Sequence, residues 1–261
     1  MPRKETVIIC PPHDTTPLLQ AQYDNMIDVL VKHDIRIVTV KDKSGSSDSV
    51  FIQDPYIETP THIVVGKFRN PTRIKETNNN IIRSSKPVRK VERGFLEGGD
   101  YLYHRGISFV MAGPRTSRLA IRDLMVADAF GTHKVARITS TDSKIIHLDL
   151  MLGFIDDVAV IWSGAKMFIV DVYERGGNKI ASLPLVDYLE HLGYRIFEIT
   201  DDEQRDFVCN FVCFDKFVLA TKGSGHLLRE ATKKPVICVP LSELGKMGGG
   251  VHCAVKQKLD A

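Results

Sequence analysis

Residues 247–253, Met247, Gly248, Gly249, Gly250, Val251, His252 and Cys253, set a thiol behind three consecutive glycines. A thiol becomes a strong nucleophile only as the thiolate, and a backbone stripped of side chains lets a flat molecule approach the sulfur closely. Such a nucleophile needs a proton-transfer partner and a polarised electrophile. Two clusters could supply them: Glu97-Gly98-Gly99-Asp100, where glycines leave a thin wall beside the acids, and His147-Leu148-Asp149. Phe51-Ile52-Gln53-Asp54-Pro55 adds a carboxylate where an apolar strand is expected to end, because Pro55 cannot continue the ladder. Alternation through residues 145–150 places His147 and Asp149 on one face of a strand. In an extended segment His252 and Cys253 would point to opposite faces, so His252 reads as scaffold. Cys209 and Cys213 lack partners at zinc-knuckle spacing and read as buried strand thiols, and no metal site is implied.

The elements that must carry these residues repeat. Strand-sized runs rich in β-branched residues fall at 6–10, 35–40, 49–53, 62–65, 108–111, 158–162, 168–170, 217–220 and 236–239. Helical spacing of apolar residues predicts helices over 18–32, 117–130, 184–192 and 225–231. Strand and helix alternate with a period of roughly 50 residues, which suggests five modules within residues 1–261 and no linker that divides them. The expectation is one catalytic domain. Residues 41–48 and 76–90 read as loops, the second long enough to act as a lid.

Composition limits the classes of partner. The 35 Lys and Arg against 32 Asp and Glu leave a net charge of only +3, and apart from a modest cluster at 83–93 the basic residues are scattered, which argues against a nucleic-acid surface. No apolar run approaches the roughly 20 residues that span a bilayer, and the first residues run into a strand pattern without a signal-peptide core. Five cysteines without paired spacing do not read as a disulfide framework. A soluble cytoplasmic protein is expected, with no membrane partner, and self-association into a homo-oligomer is left open.

In order and spacing, Phe51-Ile52-Gln53-Asp54, Glu97-Gly98-Gly99-Asp100, His147-Leu148-Asp149 and Gly248-Gly249-Gly250-Val251-His252-Cys253 resemble the guanidino-group-modifying enzymes. That superfamily includes dimethylarginine dimethylaminohydrolases, arginine and agmatine deiminases, and amidinotransferases. The resemblance implies an α/β fold, a five-bladed propeller (pentein) of ββαβ modules with the active site on its axis. It implies a small-molecule guanidino substrate and no cofactor. Cys253 would attack the central carbon of the guanidinium, His147 would protonate the departing nitrogen, and a covalent thiouronium would form and then be hydrolysed. Asp54, Glu97 and Asp149 would accept from the guanidinium, Asp100 would bind beside them or support the loop around Glu97, and Arg73 and Arg115 would read a substrate carboxylate. The chain length resembles dimethylarginine hydrolases, whereas His147-Leu148-Asp149 resembles deiminases and amidinotransferases. The reading is a hydrolase of arginine or an N-methylated arginine. The rivals are an amidinotransferase and a non-catalytic propeller that binds a macromolecule.

Overall fold

A computed structural model describes residues 4–13, 15–78, 85–140 and 142–259. In chain order the strands are β1 (Thr6–Ile9), β2 (Arg36–Thr39), β3 (Tyr56–Glu58), β4 (Ile63–Val65), β5 (Val88–Lys90), β6 (Tyr101–His104) and β7 (Ile107–Ala112). They continue with β8 (Lys134–Thr139), β9 (Leu152–Ile155), β10 (Val158–Trp162), β11 (Ile169–Glu174), β12 (Lys179–Pro184) and β13 (Arg195–Ile199). The last four are β14 (Val212–Cys213), β15 (Val218–Thr221), β16 (Val236–Val239) and β17 (Lys256–Gln257).

These strands form five sheets, the blades of an α/β propeller. Each blade contains an antiparallel pair followed, after a helical crossover, by a parallel strand: β3-β4-β5, β6-β7-β8, β9-β10-β13 and β14-β15-β16. The remaining blade joins the two ends of the fold, with β17 antiparallel to β1 and β2 parallel to it. A parallel pair cannot be joined by a tight turn, which is why a helix must intervene. The central strands β4 and β7 are buried along their whole length, as expected for sheets covered on both faces. The hairpin β11-β12 leaves the β9-β10-β13 module and adds to the edge of the neighbouring blade through β8, tying two blades together.

Local signals account for the crossover helices. Thr16 caps Pro17–Lys32 by accepting from the Leu19 N–H, with Pro17 at the first position, and this helix buries Leu19, Tyr23, Met26 and Leu30 along one stripe. Ser117 caps Arg118–Val126 in the same way. No helix among the described residues is long and apolar enough to cross a membrane.

Three expectations fail locally. Residues 49–53 are not a strand: a 3₁₀ turn covers Ser47–Val50, and the chain then runs through buried turns to β3. Residues 145–150 are not a strand either. His147 is extended, but Leu148–Leu150 form a 3₁₀ turn because the Leu148 N–H is taken by the Asp100 carboxylate at 3.1 Å and not by a neighbouring strand. Residues 76–90 are not one loop, since Pro71–Asn78 is 3₁₀ helix and Val88–Lys90 is β5; residues 79–84 lie outside the described residues.

Candidate active site

The chemistry-bearing residues sit on the segments that lead into the first strand of each antiparallel pair. Asp54 precedes β3, Glu97 to Asp100 precede β6, His147 to Leu150 precede β9, Asn210 precedes β14, and Cys253 precedes β17. Five such segments meet at the axis, so residues from 43 to 104 positions apart come into contact. Glycine is required where they cross. A Cβ on Gly98 would stand 1.9 Å from the Gln53 carbonyl oxygen, and one on Gly99 2.6 Å from His147 Nδ1.

One half of the cluster is a set of paired charges. His147 lies between two acids, with Nε2 3.0 Å from Glu97 Oε2 and Nδ1 3.6 Å from Asp54 Oδ1. Burial opposes a charge on the ring, but Asp54 and Glu97 outweigh it and push its pKa up to about 10, so His147 is an imidazolium at neutral pH. Asp54 is itself buried, yet His147 and Arg73 hold its pKa below the usual carboxylate value. Arg73 donates to Asp54 Oδ2 at 2.7 Å and grips Glu76 through Nε and a terminal nitrogen at 2.9 and 2.8 Å. Arg115, a quarter exposed, lies 3.4 Å from Glu97 Oε2.

The other half surrounds the thiol. Cys253 Sγ lies 3.7 Å from Asp149 Oδ2 and receives an N–H from Asn210 Nδ2 at 3.2 Å. Burial, then Asp149 and Asp54, push the thiol's pKa well above its ordinary value, against hydrogen bonds from the Gly250 backbone and Asn210. His252 Nδ1 is 2.8 Å from Asp149 Oδ2, while Asp149 Oδ1 is buried with no hydrogen-bond partner among the described residues. Asp100 is occupied elsewhere: it accepts the Leu148 N–H and so braces the His147 turn, and burial pushes its pKa up to about 8.

All eight residues singled out from the sequence therefore lie in or beside this cluster, with Arg73, Arg115 and Asp100 engaged by the protein itself. Arg73 is buried against Asp54 and Glu76, and Asp100 faces the backbone of the His147 turn. His252 and Cys253 do not point to opposite faces as an extended segment would have them. Because Val251–Ala254 is helical, adjacent side chains differ by about 100° and not 180°, and both His252 and Cys253 reach Asp149. Asn210 and Glu76 were missed. Asn210 could have been found by asking what the fifth module carries at the place where the others carry Asp54, Asp100 and Asp149.

One atom each from Asp54, Glu97 and His147 lie within 4.8 Å of one another, a spacing that could hold a metal ion. A metal ion there would need the His147 ring as a neutral ligand and would compete with Arg73 and Arg115 for Asp54 and Glu97. A cavity of about 290 Å³ is lined by Asp149 and His252 together with Glu58, Tyr101, Phe211 and Lys256. Cys253, His147, Glu97 and Asp54 do not line it and are at most 4% exposed, so the thiol is closed off in this conformation.

The sequence model of the arginine deiminase family matches residues 40–257. No curated protein matches the sequence. Among solved structures, dimethylarginine dimethylaminohydrolase from Pseudomonas aeruginosa, as a cysteine-to-serine mutant complexed with citrulline, is similar with a TM-score of 0.76 and 18% identity, over 98% of this chain and 99% of that one. The product-bound N-terminal domain of ArgZ, an arginine dihydrolase from the ornithine-ammonia cycle in cyanobacteria, has a TM-score of 0.76 and 17% identity, over 99% of this chain and 98% of that one. The similarity to unliganded AgrE, with a TM-score of 0.76 and 18% identity, covers 98% of this chain but 39% of AgrE. At these identities the likeness establishes the pentein fold.

Proposed function

The chain belongs to the arginine deiminase family, and on that premise we propose that it is one catalytic unit, a cysteine-dependent hydrolase that cleaves a carbon–nitrogen bond in the guanidino group of arginine. The observation that carries this reading is His147, protonated between Asp54 and Glu97, in the same cluster as a thiol that lies 3.7 Å from Asp149. A guanidinium is flat, cationic and rich in N–H donors, and it needs carboxylate acceptors around a nucleophile aimed at its central carbon.

In this mechanism the substrate guanidinium takes Asp54, Glu97 and Asp149 as acceptors. It displaces the Arg73 guanidinium from Asp54, which frees Arg73 to meet the substrate carboxylate with Arg115. The positive charge beside Cys253 favours loss of the thiol proton to solvent, which burial and Asp149 otherwise resist. The thiolate forms a bond to the central carbon, and His147 gives its proton to the departing nitrogen as that carbon–nitrogen bond breaks. Ammonia leaves and a thiouronium remains on Cys253. His147, now neutral, takes a proton from water as the oxygen attacks the same carbon. The carbon–sulfur bond then breaks as the hydroxyl proton of the adduct passes to the sulfur, releasing citrulline and restoring the Cys253 thiol.

Unmethylated arginine is favoured by Asp149. One of its oxygens is held by His252 and the other has no partner, and a dimethylated nitrogen would bring two methyl groups and no N–H to that oxygen. The test is mass spectrometry of enzyme and products after parallel incubation with arginine, asymmetric dimethylarginine and agmatine. Citrulline and ammonia from arginine are expected. Citrulline and dimethylamine from the methylated substrate would instead make the chain a dimethylarginine hydrolase. An amidino adduct on Cys253 that persists until an amine is added would make it a transferase. Inertness toward all three, with an unreactive Cys253, would favour a binding protein.

A further inference from the structure

Asn210 is fully buried, and both ends of its side chain are committed to the nucleophile's surroundings. Oδ1 accepts the Cys253 backbone N–H at 3.3 Å, and Nδ2 donates to Cys253 Sγ at 3.2 Å and to the Asp149 carbonyl oxygen at 3.3 Å. The orientation of an amide is inferred from its partners, and here two of them fix it independently. Only an oxygen can accept from the Cys253 N–H, and only the NH₂ can donate to the Asp149 carbonyl. The N–H facing sulfur is therefore required by the backbone on either side. The last glycine of the run fits this contact, since a Cβ on Gly250 would stand 2.7 Å from Asn210 Oδ1. The Asn210 carbonyl also accepts the His252 N–H at 3.4 Å, so one residue holds the start of the helical turn that presents the thiol.

Sulfur faces a difficulty that this amide addresses. Asp149 Oδ2 is 3.7 Å away, and a thiolate formed there lies beside a carboxylate in a closed site. A neutral donor steadies the new charge without competing with a cationic substrate for the acids, as Lys or Arg would.

We propose that Asn210 is the positioning residue of the nucleophile, clamping Cys253 by its backbone N–H and its sulfur at once and keeping a donor on the thiolate while the substrate approaches from the side of the acids. The inference rests on the reading of Cys253 as the nucleophile, but its test needs no substrate.

The experiment is the pH dependence of Cys253 alkylation by iodoacetamide, followed by peptide mass spectrometry so that Cys10, Cys209, Cys213 and Cys238 are scored separately. It is run on the full chain, on Asn210→Leu, which keeps the volume without the donor, and on Gly250→Ala, which displaces the amide without changing it. Near-UV circular dichroism identifies which variants fold. In a folded variant the apparent pKa of Cys253 is expected to rise by about one unit, which makes alkylation about tenfold slower below it. With arginine, kcat should fall by a similar factor while KM stays within about twofold. A role confined to holding the fold would lower the melting temperature and leave the alkylation profile unmoved. Folded Asn210→Leu or Gly250→Ala with the parent profile overturns the proposal. If the parent turns over arginine and the profiles coincide, the inference fails and the hydrolase reading stands. If the profiles separate and no guanidine is turned over, the hydrolase reading fails and the clamp stands.

Discussion

The two halves of the axial cluster are built on opposite principles. Around His147 every charge meets an opposite one: Asp54 has His147 and Arg73, Glu97 has His147 and Arg115, and Arg73 has Glu76 as well. Cys253 instead meets a neutral amide and the Asp149 carboxylate, of which one oxygen is held by His252 and the other has no donor among the described residues. Buried ions persist only when paired, so the first half is already charged before a substrate arrives. The second half is held short of its charged form. In the mechanism we propose, this contrast makes His147 a preformed proton donor and Cys253 a nucleophile completed by the substrate.

The most severe way to break this comparison is Cys253→Ser. Turnover is expected to fall by at least about 10³-fold, because a hydroxyl is far harder to ionise, while arginine binding measured by calorimetry stays within a few-fold. Near-normal activity would remove the covalent mechanism.

Glu97→Gln breaks the paired half with little change of shape, and kcat should fall by roughly 10²-fold as the imidazolium loses a charged acceptor. The same change has a signature in stability. Folded His147 keeps its proton up to about pH 10, against an ordinary value of 6.5. The stabilisation is complete below pH 6.5 and is lost as pH rises through 10, so the parent's unfolding free energy should decline across that window. In Glu97→Gln denaturant titrations should show a shallower decline; an unchanged slope would mean that Glu97 does not hold the proton.

Asp149→Asn tests the unpaired half. Arginine turnover should fall about tenfold or more while the ratio of dimethylarginine to arginine kcat/KM rises, and steady-state kinetics on both substrates would reveal an unchanged ratio if Asp149 has no part in selectivity. The smallest effect is expected from Glu76→Gln, which loosens Arg73 without touching the thiol. KM for arginine should change several-fold with kcat nearly constant, and a large loss of kcat would place Glu76 in the chemistry.

Much of the architecture was readable along the chain. Runs such as 62–65, 108–111 and 158–162 became the inner strands, and the capped, striped residues 17–32 became a helix, because burial on two faces and burial on one stripe leave different periodicities. The expected strands at 49–53 and 145–150 failed because apolar residues there are buried on every side at the axis, so their backbone hydrogen bonds go to turns and to Asp100 and alternation loses its meaning. Asp54, Glu97, His147 and Cys253 stood out because charged groups and thiols in apolar, glycine-rich settings are costly without a use. Asn210 carries no charge and lies between Cys209 and Phe211, so nothing in its own neighbourhood marks it.

The sequence by itself determined the inventory: a thiol, an imidazole and carboxylates, placed in separate modules of a repeating α/β pattern. It did so through residue type and short-range periodicity, which act over a few positions. Which oxygen of Asp149 is held and which has no partner, which acid holds the imidazolium, and which amide faces the sulfur were decided by closure of the five blades. Those contacts join residues 43 to 103 positions apart, and they exist only once long-range packing has brought the segments to one axis.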